Sequence, residues 1–146
     1  MRRPKQKRQR RQGHGPIQFF DYGPWRFNIN QALRLAGNRL KYQTQMQKPT
    51  PEWIGPFIDI DPSHVEKSDL DKSVILATVI QNGQIWKLLI DGHHRVVRAL
   101  REQAMVPSIT LDLEDTLKVL AAPSYLIEQM KRAGVELGLL SAAASS

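Results

Sequence analysis

The chain has 146 residues, of which 41% are hydrophobic, and a formal net charge of +7. That length allows one domain of ordinary size with a buried core. No stretch approaches the ~18–20 apolar residues that span a bilayer, and no apolar segment follows the basic start as in a secretory signal. We therefore expect a soluble, cytoplasmic protein without a membrane partner. The absence of cysteine excludes disulfides, thiolate catalysis and cysteine-ligated zinc.

Residues 1–15 form a basic arm. Residues 1–12 hold seven basic residues and no acidic one, which equals the net charge of +7, so the rest of the chain is neutral on balance. The cations are Arg2, Arg3, Lys5, Lys7, Arg8, Arg10 and Arg11. Such a segment cannot bury apolar surface, and we expect it to be disordered on its own. Its charge favours salt-sensitive contact with DNA or RNA, and hence association with the nucleoid, whereas a solubility tail or localisation signal is the alternative.

Residues 16–55 combine an aromatic connector with a predicted amphipathic helix. The connector's aromatic side chains suit stacking on nucleic-acid bases, although packing back onto the domain is the favoured interpretation. Apolar residues at three- and four-residue steps predict the helix from Asn28 to Gln47, with Asn28 or Asn30 as its cap and Pro49 beyond its end. The glutamines near that end indicate a solvated face. Trp53, like Trp86 further on, is interpreted as a core or rim aromatic.

Residues 56–140 carry the remaining elements, and residues 141–146 form a tail. Asp61 and Pro62 fit the cap and first residue of a helix. Asn82-Gly83 between two apolar runs predicts a type I′ hairpin that joins strands over 74–80 and 84–90. Alternation over 108–113 predicts another strand, and helices are expected over 114–120 and 124–140. The fold class is therefore α+β, a small mixed sheet with packed helices.

The segment Ile90-Asp91-Gly92-His93-His94-Arg95 lies where an apolar strand gives way to a predicted helix. Free backbone N–H groups and the helix dipole favour anions at such a place. Gly92 lets the backbone approach a ligand closely, and Arg95 adds a guanidinium fork suited to phosphate. His93 and His94 can donate, accept or transfer protons near neutral pH. We predict that Gly92, His93, His94 and Arg95 bind phosphate.

A simpler interpretation of the same residues needs no ligand. In it, Asp91 and Gly92 form a turn, Asp91 or His93 caps the helix, and Arg95 is a solvated helix residue.

The chain from Phe57 to Leu113 resembles the ParB/sulfiredoxin fold, with Phe57–Pro62 as a first strand, Leu89–Arg95 as the loop before a helix and Val106–Leu111 as the next strand. The resemblance implies that the Gly-x-x-Arg loop binds the phosphates of a nucleotide, ATP or CTP. Members of this family include CTP-using partition proteins, ATP-using sulfiredoxins, free-serine kinases and plasmid effectors credited with nuclease or ATPase activity. Sulfiredoxins carry a reactive cysteine where this chain has His93, which excludes sulfinic-acid reduction.

Candidate catalytic residues surround this loop. His94 matches the family's loop histidine and is a candidate acid or base, or else a brace of the loop. Family kinases use a glutamate near the first strand as base, and Glu66 is the nearest counterpart, with His64 as an alternative. Phosphoryl transfer usually needs Mg²⁺, for which Asp59 and Asp91 are the candidate ligands. Asp91 is also a catalytic candidate.

Three functions are compatible with these residues. The first is a nucleotide-binding, ParB/sulfiredoxin-like protein with phosphate-directed chemistry, either NTP hydrolysis or transfer or DNA cleavage, that acts near nucleic acid. The second is a non-catalytic, DNA-associated accessory protein of a plasmid or phage. The third is a small-metabolite kinase of the serine type, which the basic arm disfavours.

Overall fold

The computed structural model describes residues 16–55 and 58–141. The seven cations of the basic arm, from Arg2 to Arg11, lie outside the described residues, as does the tail from 142 to 146. No helix within the described ranges is long and apolar enough to cross a bilayer.

The described residues contain seven strands and five α-helices. The strands are β1 Phe19–Tyr22, β2 Trp25–Asn28, β3 Gln45–Gln47, β4 Val74–Gln81, β5 Gln84–Asp91, β6 Val106–Leu111 and β7 Leu120–Ala122. The helices are α1 Ile29–Ala36, α2 Pro62–Lys67, α3 His93–Glu102, α4 Leu113–Val119 and α5 Ser124–Glu136. A 3₁₀ turn spans Pro51–Trp53. The predicted α+β class is confirmed.

The strands form two small sheets. The larger has the order β3-β6-β4-β5 and the smaller β1-β2-β7. In the larger sheet β4 pairs antiparallel with β5 and parallel with β6, so the sheet is mixed as predicted. The hairpin between β4 and β5 turns at Asn82 and Gly83, whose φ angles of 53° and 74° fit the predicted type I′ turn.

Strand β4 is the centre of the core, and each of its residues except Gln81 is buried. Alternate side chains of a strand point to opposite faces of the sheet. Ile75, Ala77 and Val79 accordingly join an apolar cluster with α1, α4 and α5. Val74 and Leu76 join a second cluster, which contains Val96 and Ala99 of α3. Helices therefore cover both faces of β4, and α3 is fixed against one of them.

The predicted long helix is wrong beyond Ala36. Helix α1 begins as expected, because the Asn28 side chain accepts a hydrogen bond from the Gln31 backbone N–H at 3.0 Å. It ends at Gly37, where the chain turns, and the Asn38 side chain accepts from the Leu40 N–H. The glutamine-rich segment is β3 instead of a solvated helical face, because it pairs with β6.

Two further differences affect neighbouring segments. Residues 58–61 are not a strand, so the described part of the predicted first strand is wrong. Asp61 instead caps α2 by accepting a hydrogen bond from the Ser63 N–H, and Pro62 is the first helical residue. Helix α5 ends at Glu136 and does not reach 140, because Gly138 takes a φ of 78° that a helix cannot continue.

Candidate functional site

The predicted order of strand, loop and helix is present at Gly92. Strand β5 ends at Asp91, and α3 begins at His93. Gly92 is the N-cap of α3 with a φ of 101°, a conformation that side chains disfavour. A Cβ built on Gly92 would lie 2.6 Å from Val74 Cγ1, so the loop packs directly on β4. Glycine is therefore needed here for both conformation and space.

A cavity of about 390 Å³ opens beside this loop, and we call it the loop cavity. It is lined by Gly92, His93, His94 and Arg95, together with Phe20, Asp21, Ile58, Asp59, Ser68, Ile90 and Asp91. The structure thus brings all four predicted phosphate-binding residues to one place. Both predicted metal ligands, Asp59 and Asp91, line the same cavity.

The N-cap residue of α3 makes no side-chain hydrogen bond to the first turn of the helix. An α-helix leaves its first N–H groups without intrahelical acceptors, and glycine has no side chain that could accept from them. In α1, α2 and α4 an Asn or Asp side chain fills that role. The helix cap that the simpler interpretation assigned to Asp91 or His93 is therefore wrong, because Gly92 is the N-cap.

Arg95 is held inside the site instead of in solvent. Its side chain is 18% exposed, which also contradicts the interpretation as a solvated helix residue. Nη2 donates to Asp91 Oδ2 and to the Ser73 backbone carbonyl, each at 3.2 Å. The Nε–H is buried and has no hydrogen-bond partner among the described residues. An arginine N–H in this state is an unused donor, and it belongs to a residue that lines the loop cavity and another cavity beside α1.

His93 lies in the wall of the cavity and packs against an aromatic ring. Its imidazole is 4.8 Å from the ring centre of Phe20. Burial, with repulsion from His94, lowers the pKa of His93 to about 4, although a hydrogen bond with the Leu89 backbone opposes that shift. His93 is consequently neutral at neutral pH and serves as a hydrogen-bonding and packing group, without adding positive charge.

His94 connects the loop to the start of α2. Its Nε2 accepts a hydrogen bond from the Asp61 backbone N–H at 3.2 Å. A ring nitrogen that accepts carries no proton, so this contact requires the neutral imidazole with its proton on Nδ1. His64 meets the His94 ring edge-on at 5.2 Å, and His64 Nδ1 lies 3.7 Å from Asp61 Oδ2. Hydrogen bonds from Ser63 hold the pKa of that Asp61 carboxyl below its ordinary value.

The structure does not bring Glu66 to the loop. Glu66 is exposed on α2 and does not line the loop cavity, because its neighbour Val65 is the residue of that helix that enters the core. His64, the alternative base, is the side chain of α2 that reaches His94. The short α2 therefore offers a histidine, not a glutamate, to this site.

The metal prediction depends on Asp59 and Asp91. Within the described ranges, no group of three or more His, Cys, Asp or Glu side chains is arranged to hold a metal ion. Mg²⁺ commonly takes only one or two protein carboxylates and completes its shell with phosphate oxygens and water. Two carboxylates lining one cavity fit that mode of binding. Asp91 already balances Arg95, so the pair is closely neutral.

The sequence of the loop did not predict that an aromatic side chain would line the loop cavity. Phe20 of β1 lines the loop cavity, and its contact with His93 joins the smaller sheet to the start of α3. The aromatic residues of the connector, mixed with Gly and Pro, were the sequence signal for this lining. Trp25 and Phe27 enter the core, whereas Phe20 and Tyr22 are only partly buried.

No family model, curated protein or solved structure matches this chain. The geometry of the site therefore carries the functional conclusion.

Proposed function

We propose that the protein binds the phosphate of a nucleotide, ATP or CTP, at the Gly92–Arg95 loop of a ParB/sulfiredoxin-like fold. The bound phosphate is the centre of NTP hydrolysis or transfer, or of DNA cleavage, near nucleic acid. The basic arm, with its seven cations, supplies the attraction to DNA or RNA.

The buried, unpartnered Nε–H of Arg95 is the observation that supports this proposal most strongly. A buried donor without an acceptor costs about 1–3 kcal/mol. A phosphate oxygen would remove that cost and form a charge-assisted hydrogen bond. The uncapped first turn of α3 adds backbone donors and the positive end of the helix dipole at the same cavity.

His94 is the proposed acid or base because its ring lines the cavity in the neutral form. The neutral ring carries its proton on Nδ1, and Nε2 becomes available as a base once the Asp61 N–H moves away. His64 beside it is a second site for the proton. Asp91 holds Arg95 in place, and with Asp59 it would hold Mg²⁺ bound to the phosphates, where the ion would neutralise charge on the transferred group.

A non-catalytic accessory role is the second candidate. It is favoured by the fact that His94 and Asp91 are each engaged by a protein partner, the Asp61 N–H and Arg95. In that case an anion at the loop would shift the position of α2 relative to α3 without any chemistry.

Isothermal titration with ATP and CTP, with and without Mg²⁺, tests the proposal. Arg95→Ala should weaken binding by about 10- to 150-fold, since hydrogen bonds to charged groups contribute about 1.5–3 kcal/mol. Arg95→Lys keeps the charge but loses the fork, so it should recover only part of the affinity. Arg101→Ala is the matched control, because Arg101 is an exposed arginine at the other end of α3.

Phosphate release distinguishes the two candidates. An enzyme should lose turnover in His94→Ala to a much greater extent than it loses nucleotide affinity. Binding without turnover in the native protein would favour the accessory role. An absence of nucleotide binding under all conditions, or an equal loss in the Arg101→Ala control, contradicts the proposed site.

A further inference from the structure

A second cavity of about 490 Å³ lies next to the loop cavity, and we call it the aromatic cavity. Four aromatic side chains line it: Phe20, Tyr22, Trp53 and Trp86. Phe20, Ile58 and His93 line both cavities. Phe20 and His93, whose rings are in tilted contact, therefore lie between the aromatic cavity and the loop cavity.

Trp86 is a large aromatic side chain that the fold leaves exposed. It is 53% exposed, although tryptophan is normally among the more buried residues. It lies on β5, the edge strand of the larger sheet, and its neighbours Ile85 and Lys87 are exposed as well. An exposed indole at the rim of a cavity is typical of a surface that stacks on a planar ligand.

Polar groups accompany the aromatic rings. Gln47, Thr50, Glu52 and Thr110 line the aromatic cavity, so donors and acceptors stand around the stacking surface. A nucleobase has flat faces for the rings and a polar edge for such groups.

The basic arm is close in sequence to the residues that line both cavities. Arg11, the last cation of the arm, is nine residues before Phe20. The folded remainder of the chain is neutral on balance, so the arm provides the long-range attraction for a polyanion.

We propose that the two cavities together bind one nucleotide unit of a single strand of nucleic acid. The base stacks on Trp86 in the aromatic cavity, and the attached phosphate lies at the Gly92–Arg95 loop. The placement of the phosphate at the loop rests on the proposed function. A base paired inside a duplex has no free face to offer, so the site selects single strands.

The test is fluorescence anisotropy of the full chain with a labelled strand of roughly 12 nucleotides, a length within the site sizes of single-strand binders. DNA and RNA strands and a DNA duplex of equal length are compared. Trp86→Ala should weaken strand binding by about 5- to 150-fold, which corresponds to ~1–3 kcal/mol at ~1.4 kcal/mol per tenfold. Trp86→Phe keeps a stacking ring and should retain most of the affinity.

Tyr125→Ala is the control, because Tyr125 is an aromatic residue of α5 that is 64% exposed and does not line either cavity. It should bind the strand like the native protein. Unchanged strand binding by Trp86→Ala would overturn the inference. An affinity for the duplex equal to that for the single strand, and unaltered in Trp86→Ala, would overturn it as well.

Tripolyphosphate separates this inference from the proposed function, because it has phosphates but no base. Its binding should fall in Arg95→Ala and stay unchanged in Trp86→Ala. If Arg95→Ala leaves tripolyphosphate binding unchanged, the proposed phosphate site is wrong, whatever the result with the strand. If Trp86→Ala weakens the binding of free ATP or CTP but not of the strand, the aromatic cavity binds a mononucleotide and the inference of strand binding is overturned.

Discussion

Replacing Gly92 by alanine perturbs the site where the loop packs against β4. The new methyl group would lie 2.6 Å from Cγ1 and 2.9 Å from Cβ of Val74, and 3.0 Å from Nη2 of Arg95. Val74 is fully buried on the central strand β4, so it cannot move aside without disturbing the core. The backbone of residue 92 must also keep a φ of 101°, which alanine resists.

Two penalties therefore add. The left-handed conformation costs about 1–2 kcal/mol for a residue with a Cβ, and overpacking of a dense core costs about 1–3 kcal/mol. Alanine also lowers the conformational entropy of the unfolded chain, which offsets about 0.4–1 kcal/mol of the destabilisation. We expect Gly92→Ala to lower the free energy of unfolding by about 2–4 kcal/mol, which is a large part of the ~5–15 kcal/mol typical of a domain.

Gly83→Ala is the matched control in urea denaturation. Gly83 also has a positive φ, 74°, but a Cβ there meets nothing within 4 Å. It keeps the backbone penalty and lacks the clash, so the loss should be about 1 kcal/mol or less. Val74→Ala should partly rescue Gly92→Ala. Equal losses for Gly92→Ala and Gly83→Ala would refute the close packing of the loop on β4.

Three further predictions follow from polar groups and charge. The pKa of His93 is near 6.5 in the unfolded chain and about 4 in the folded chain. The free energy of unfolding should therefore fall by about 3 kcal/mol as the pH drops from 6.5 to 4. In His93→Phe, the midpoint of urea denaturation should depend less on pH over that range. Tyr42→Phe removes the hydroxyl that donates to the buried Asp115 at 2.6 Å, so calorimetry should record a loss of about 1.5–3 kcal/mol. Deleting residues 1–12 should reduce the slope of log affinity for DNA against log salt by up to ~6, because each lost phosphate contact removes about 0.7–0.9; an unchanged slope would exclude the arm from binding.

The elements that local patterns specify were predictable from the sequence. The Asn82-Gly83 turn has few alternatives, and the apolar runs on either side pair as expected. The Asn28 cap likewise marks the start of α1. The end of α1 was not predictable, because Gln45–Gln47 becomes a strand only through pairing with β6, more than fifty residues away.

The loop residues were predictable because they are contiguous, whereas their partners were not. Gly92 to Arg95 surround one cavity as expected. The choice of His64 over Glu66 depends on which side of a six-residue helix faces the core, and Val65 decides that. The approach of Phe20 to His93 and the exposure of Trp86 depend on how the strands are arranged in three dimensions.

Nuclear magnetic resonance of ¹⁵N-labelled protein tests the phosphate loop most directly. ATP or CTP with Mg²⁺ is titrated in, and the backbone amide signals are followed one residue at a time. We expect the largest shifts at the amides of Gly92, His93, His94 and Arg95 and at the Arg95 Nε–H. These shifts should be lost in Arg95→Ala. Shifts confined to residues outside the loop cavity, with these signals unmoved, would contradict the proposed phosphate site.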